Sequence, residues 1–131
     1  MTGISMIQTV SIVPHARIYL STSEGNGVFG TGKGELLAAI ERLGSLRQAA
    51  VESGRSYRQV WGDINKAEKY LGFKLVHRSR GGSGGGKMEL TEQGTRFLRA
   101  WEQHCRCIAE AVASSYDNNL SAVIHFSEGV A

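Results

Sequence analysis

The stretch that decides the fold is SLRQAAVESGRSYRQVWGDIN, which covers residues 45–65. Ser45 and Ser56 each stand before a run of helix-forming residues, and serine is a favoured helix N-cap. Gly54 lies between the two runs and suits a tight turn. The small side chains of Ala49-Ala50 allow two helices to approach closely where they cross. The stretch therefore predicts two steeply crossing helices joined by a short turn, a helix-turn-helix.

Another helix is predicted before this stretch, over about 33–43. Four apolar residues there share one helix face: Leu36, Leu37, Ile40 and Leu43. Gly44 is expected to end this helix, because glycine adopts the left-handed conformation without strain. The second helix is predicted over 46–52 and the third over 57–71. The inner face of the third helix is composed of Val60, Trp61, Ile64, Ala67 and Leu71.

Two β-hairpins are predicted on either side of the three helices. The first has an alternating strand at 16–23, a Gly-Asn-Gly turn and a short return strand at 28–30. The second pairs a strand at 74–78 with one at 87–90, and its tip is the glycine-rich run 81–86. A hairpin placed after a helix-turn-helix is a wing. The predicted fold class is therefore α+β, mainly α: a winged helix-turn-helix with an N-terminal β-hairpin.

A long fourth helix is predicted from Thr91, its candidate N-cap, to about Tyr116. Its apolar residues recur every three or four positions and form one stripe, composed of Phe97, Trp101, Cys105, Ile108 and Val112. Because the stripe is longer than a domain this small can cover, we expect it to form a dimer interface with a second copy. The alternative is a helix that folds back on its own core. Residues 121–126 are predicted to form a final strand.

The positive charge of the chain is concentrated in its middle. Residues 42–87 contain ten Lys and Arg against three acidic residues, a net +7, so the other residues carry −4 of the overall +3. A basic segment between acidic ends indicates a polyanionic partner, whereas an ordinary solvated surface is the alternative.

In a helix-turn-helix, the second helix of the pair enters the major groove of DNA with its N-terminal residues at the base edges. Arg58 can bind guanine, and Gln59 adenine, through two hydrogen bonds each. Residues further along the helix are expected at phosphates, and those of the wing at phosphates or the minor groove. The predicted contacts to double-stranded DNA are Ser45, Ser56, Tyr57, Arg58, Gln59, Asn65, Lys66, Arg78, Arg80, Gly84 and Lys87.

The residues of these elements resemble the DNA-binding domain of LysR-type regulators. The matching pattern is Gly44-Ser45-Leu46, Ala49-Ala50, Ser56, Ile64, Leu71-Gly72, Leu75-Val76, Arg78, Leu90-Thr91 and Gly94. Within that group, the Ser56-Tyr57 pair, the Trp61-x-x-Ile-Asn motif and the glycine-rich wing are most similar to the N-terminal domain of ModE-type, molybdate-responsive regulators. The resemblance covers about residues 16–115.

The resemblance implies a homodimeric, cytoplasmic transcription factor on a palindromic operator, with a link to molybdenum metabolism. It also implies that the N-terminal hairpin region and the long fourth helix hold the dimer. Regulators of this type sense molybdate with C-terminal oxyanion-binding domains. Residues 117–131 are too few for such a domain, so we expect no direct molybdate binding by this chain.

Other motifs do not indicate a site. Residues 25–30 match G-x-G-x-x-G, but no βαβ unit follows them. Residues 27–33 nearly match a phosphate-binding loop, but Gly34 stands where that loop has the Ser or Thr that holds magnesium, and no acidic second motif follows on a later strand. Cys105 and Cys107 are two positions apart, so on a helix they diverge and cannot share a metal with His104. No set of nucleophile, base and orienting residue is recognisable. We therefore predict no catalytic residue, no metal site, no cofactor and no enzyme activity.

The predicted organisation is an N-terminal arm at 1–15, a winged DNA-binding domain at 16–90, and a dimerisation helix with a C-terminal tail at 91–131. No apolar run approaches about 18 residues, so no membrane span is expected. The alternative function is a protein-interaction module that modulates another regulator. Such a module would tolerate acids on the exposed face of the third helix, where Asp63 is the only one.

Overall fold

The structure is a computed structural model that describes residues 10–79 and 87–130, without the side chains of 126–130. The described residues form two compact units: those between 17 and 105 form one, and residues 10–16 with 106–130 form the other. The helices and strands are β1 Tyr19–Ser21, β2 Gly27–Gly30, α1 Thr31–Leu43, α2 Leu46–Ser53, α3 Tyr57–Leu71, β3 Val76–Ser79, β4 Lys87–Leu90, α4 Glu92–Ser115, a π-helical turn Tyr116–Leu120 and α5 Ser121–Val130. This order confirms the predicted winged helix-turn-helix. The predicted wing tip and the first nine residues of the predicted arm lie outside the described residues.

The first hairpin is shorter than predicted. β1 pairs antiparallel with β2 through Leu20 opposite Phe29, and the register shifts after Leu20. Gly25 adopts a φ of 94° in the turn, a conformation that favours glycine. Val28 and Phe29 are buried, so β2 contributes directly to the core of the unit.

The caps of the helix-turn-helix are those that the sequence predicts. Gly44 ends α1 in the left-handed conformation, and its N–H donates to the carbonyl of Ile40 at 2.8 Å. The Ser45 hydroxyl accepts from the backbone N–H of Gln48 at 3.1 Å and starts α2. Gly54 ends α2, also in the left-handed conformation. Each helix boundary is therefore fixed by residues within four positions of it.

The core of residues 17–105 lies between α1, α2, α3, the hairpins and the start of α4. Its largest fully buried side chains are Leu36, Leu37, Ile40, Val60, Leu75 and Leu98. Ala49 is fully buried and Ala50 nearly so, which agrees with close helix crossing. On the inner face of α3, Trp61 and Leu71 pack against this core as predicted, although both are only half-buried.

Glu68 is also buried on the same side of α3, although it is not among the residues predicted for this inner face. Its side chain is only 8% exposed. Its Oε2 accepts the backbone N–H of Leu75 at 2.7 Å and that of Val76 at 3.4 Å. Lys74 lies 3.6 Å from the other carboxylate oxygen. The carboxylate therefore ties the start of the wing to the helix before it.

The start of α4 packs tightly against the segment that leads into β3. The Thr91 hydroxyl donates to the carbonyl of Lys74 at 2.6 Å and accepts from the N–H of Gly94 at 2.8 Å. A Cβ atom at Gly94 would overlap the carbonyl oxygen of Leu75. Glycine at this position therefore allows the helix to approach the wing backbone.

The prediction of a strand at 121–126 is wrong, because these residues lie in helix α5. The β-branched and aromatic residues there favour a strand only weakly, and structural context overrides such preferences. The chain between Ser115 and Ser121 has no glycine or proline, and the π-helical turn Tyr116–Leu120 leads directly into α5. Along the described residues, no helix is long and apolar enough to cross a membrane.

We expect the Gly94→Ala variant to lose about 1–3 kcal/mol of unfolding free energy, the usual cost of overpacking. The atom that it would meet belongs to the backbone and cannot rotate away. The measurement is urea-induced unfolding followed by circular dichroism. The matched control is Gly62→Ala, where an added Cβ meets nothing within 4 Å and the helix should gain about 0.5–1 kcal/mol. Equal stability of Gly94→Ala and the wild type would contradict the close approach.

Glu68→Ala should destabilise the chain by about 1–3 kcal/mol, because it leaves the buried N–H of Leu75 without its acceptor. The same unfolding experiment measures this loss. Lys74→Ala is the control: Lys74 is mostly exposed, so removing its ion pair should cost less than about 1 kcal/mol. If both variants changed stability equally, the backbone hydrogen bonds would not be the important contacts of Glu68.

Candidate nucleic-acid interface

The N-terminal half of α3 presents polar side chains to solvent. Arg58 and Gln59 are exposed in its first turn. Asn65 and Lys69 are exposed further along the helix, seven and eleven residues after Arg58, and fall on the same outer face. Gly62 lies between them and has no side chain. This face can therefore come close to the floor of a DNA groove while offering hydrogen-bond donors.

Ser56 and Gln59 form a capping box that fixes the start of this face. The Ser56 hydroxyl accepts the backbone N–H of Gln59 at 3.1 Å, and Gln59 Oε1 accepts the backbone N–H of Ser56 at 2.9 Å. Two-point binding of adenine needs both the oxygen and the nitrogen of the Gln59 amide. Such binding would therefore compete with the cap. Of the predicted contacts, Ser45 and Ser56 act as helix caps in the structure.

Tyr57, the first residue of α3, contacts two arginines from other elements. The guanidinium carbon of Arg47, in the first turn of α2, lies 4.6 Å from the centre of the Tyr57 ring. Arg78 of β3 donates from Nη2 to the Tyr57 hydroxyl at 3.0 Å. The pKa of Tyr57 is lowered, mainly by a hydrogen bond with Trp61, and the positive charges of Arg78 and Arg47 lower it further. Arg47 is not among the contacts predicted from the sequence, where its only signal is its charge within the basic segment.

A second group of charges lies beside α3, next to the first hairpin. Arg55 pairs with Asp63 at 3.2 Å across the first turns of the helix. Lys33 donates to the carbonyl of Val28 at 3.0 Å. Burial lowers the pKa of Lys33, and the charges of Lys66 and Arg55 lower it further, against the opposing effect of Asp63. These residues surround a groove of about 350 Å³. The positive surface therefore extends from the outer face of α3 to its flank.

The wing places its described basic residues in solvent. Arg78 and Lys87 are exposed on β3 and β4, which pair with Ser79 opposite Lys87. The N–H of Met88 donates to the carbonyl of Gly44 at 3.1 Å and attaches the wing to the junction between α1 and α2. Two other predicted contacts, Arg80 and Gly84, lie outside the described residues.

The residues of α4 that are predicted to form the dimer interface do not all have the same environment. Trp101 is only 7% exposed within a single chain. The Trp101 ring packs edge-on against the Phe29 ring, with their centres 5.0 Å apart. The Phe97 ring also packs edge-on against the Phe29 ring, with their centres 4.7 Å apart. Cys105 is partly buried against the same core. Within one chain the first part of the helix therefore packs on its own domain, and its predicted contact with a second copy stays a prediction.

The other predicted interface residues lie in the second unit. Ile108 and Val112 are half-buried there and line an apolar groove of about 530 Å³ with Ile12, Pro14 and Leu120. The Tyr116 hydroxyl donates to the carbonyl of Ile12 at 3.2 Å, which holds the N-terminal segment beside the helix. Within residues 10–79 and 87–130, no group of three or more His, Cys, Asp or Glu side chains could hold a metal ion.

Comparison with known proteins locates the similarity in the same elements. The family described as bacterial regulatory helix-turn-helix protein, lysR family, matches residues 34–95. The transcriptional dual regulator ModE of Escherichia coli K12 is 37% identical over 67 residues, which are 51% of this chain and 26% of that protein. The molybdenum transport protein ModE of Azotobacter vinelandii is 37% identical over 83 residues, 63% of this chain and 30% of that protein.

A third relative is the molybdenum-pterin-binding protein MopB of Rhodobacter capsulatus, 34% identical over 86 residues, 66% of this chain and 32% of that protein. The chain thus spans between about a quarter and a third of the length of these three relatives. The matched region begins within α1 and ends in the first turn of α4, so it contains the helix-turn-helix and the wing. Residues 34–95 are thus similar to the helix-turn-helix domain of bacterial regulatory proteins of the LysR family.

Proposed function

We propose that this chain is a transcription regulator that binds double-stranded DNA in a sequence-specific manner. The observation that carries the proposal is the exposed guanidinium of Arg58 at the start of α3, beside a wing with exposed Arg78 and Lys87. In a winged helix-turn-helix, these positions face the bases and the backbone of DNA. The matched family of regulatory proteins supports the same function.

The exposed face of α3 favours DNA over a protein partner. Apart from Tyr70, the exposed side chains of α3 are basic or amide groups, and the nearby carboxylate of Asp63 is paired with Arg55. A module that bound only another protein would tolerate unpaired acidic residues on this face. The regulator would act in the cytoplasm, without enzyme activity. We also connect it to molybdenum metabolism, because relatives carry names that refer to molybdenum.

We further propose that the protein is a homodimer held by the second part of α4. Phe97 and Trp101 cover the core of their own chain, so the interface is formed by Ile108 and Val112. These residues leave an apolar groove that a second copy of the helix can fill. We call α3 the reading helix, because it is the helix proposed to contact the bases. A twofold dimer carries two reading helices and binds a palindromic site.

Arg58→Ala should relax the base preference at one position of each half-site and cost about 1–3 kcal/mol on the preferred sequence. Lys87→Ala should instead weaken all sequences similarly and reduce the slope of log K against log salt by about 1. Selection of bound DNA from a random pool supplies the site, and titration at several salt concentrations supplies the affinities.

The matched control for these variants is Arg96→Ala, which removes an exposed, ion-paired arginine of α4 away from the reading helix. It should bind the selected site as the wild type does. If Arg58→Ala bound all sequences with unchanged preference, the assignment of α3 as the reading helix would be wrong. Absence of any selected sequence for the wild type would contradict the proposed function.

Val112→Asp should convert the dimer to a monomer, because a carboxylate placed in the proposed apolar interface would be buried without a partner. Sedimentation velocity measures the change, and binding to a palindromic site should weaken by at least about tenfold, because bivalent binding is lost. Ser114→Asp introduces the same charge at an exposed position on the opposite face of the helix and should remain a dimer. A monomeric wild type would contradict the proposed dimer.

A further inference from the structure

Tyr57 occupies a central place among the elements of the proposed interface. Its ring lies under Arg47 of α2, and its hydroxyl accepts a hydrogen bond from Arg78 of β3. It is itself the first residue of α3. One side chain therefore connects the first helix of the pair, the reading helix and the wing.

The two arginines are held by a neutral side chain rather than by carboxylates. In the described part of the chain, neither guanidinium lies within ion-pair distance of an acidic residue, whereas Arg42, Arg55, Arg96 and Arg99 all do. A guanidinium stacked on an aromatic ring or bonded to a hydroxyl keeps its full charge. Both residues are exposed and keep donors for an anionic ligand.

Holding an arginine in place before binding has a physical benefit. A free arginine side chain loses much rotational freedom when it binds a phosphate, and this loss weakens the complex. A side chain already ordered by Tyr57 has lost part of that freedom in the free protein. The contacts of Tyr57 therefore favour phosphate binding without adding a new contact to DNA.

We propose that Tyr57 is a positioning residue that holds Arg47 and Arg78 toward the phosphate backbone of DNA, on either side of the base-reading start of α3. The inference rests on the proposed function and sharpens it in two ways. It adds Arg47 to the contacts, and it assigns Tyr57 an indirect role through two arginines.

Tyr57→Phe separates the two contacts, because it keeps the ring under Arg47 and removes the hydroxyl that accepts from Arg78. We expect it to weaken binding to the selected DNA site about twofold to tenfold, the range of the ordering cost of one long side chain. The slope of log K against log salt should stay near the wild-type value, since both arginines remain able to reach phosphates. Arg78→Ala should instead lower that slope by about 1.

The deciding measurement is a double-mutant cycle. If Tyr57 acts through Arg78, adding Tyr57→Phe to Arg78→Ala should change the affinity very little. A parallel cycle compares Tyr57→Ala with Tyr57→Phe, which both lack the hydroxyl, so the further loss caused by removing the ring should appear only while Arg47 is present. Thermal unfolding of every variant provides the control for folding, and Arg96→Ala provides the control for charge.

Two results would overturn the inference and can be told apart. Tyr57→Phe could weaken binding equally with and without Arg78, or leave it unchanged; either outcome shows that Tyr57 does not position Arg78, while the proposed function stands. If the wild type itself selects no DNA sequence, the proposed function fails and the inference fails with it.

Discussion

The fold depends on the packing of Trp101 against Phe29 and α1. The indole lies edge-on to Phe29, and a Cβ atom added at Gly34 would lie 2.6 Å from its ring nitrogen. This contact joins the first hairpin, the first helix and α4 in a single core. Because edge-to-face aromatic pairs and large buried rings contribute strongly to stability, the start of α4 belongs to the winged domain rather than to an appendage.

This constraint decides which part of α4 is available to a partner. Once Phe97, Leu98 and Trp101 are packed against the domain, the apolar residues that remain lie beyond Cys105. The groove along Ile108 and Val112 is therefore the surface on which the proposed dimer rests. The proposed dimer would carry two copies of α3, as a palindromic DNA site requires.

The reading helix is held in place by contacts of different range. The capping box of Ser56 and Gln59 fixes its first turn locally. Glu68 fixes its other end to the wing through buried backbone hydrogen bonds. Tyr57 connects its first residue to Arg47 and Arg78. Together these contacts give the wing and the helix a defined relation before any ligand binds, which lowers the ordering cost of binding.

Much of the fold could be predicted from the sequence, because helix periodicity and the caps at Ser45 and Ser56 depend on residues within a few positions of one another. The same local signals failed at 121–126, where strand-forming residues continue a helix. Only the tertiary structure decided that Trp101 lies in the core, that Glu68 is buried, and that Tyr57 meets residues ten positions before it and twenty-one after it. Burial and contact depend on which surfaces meet after folding, and a one-dimensional pattern does not contain that information.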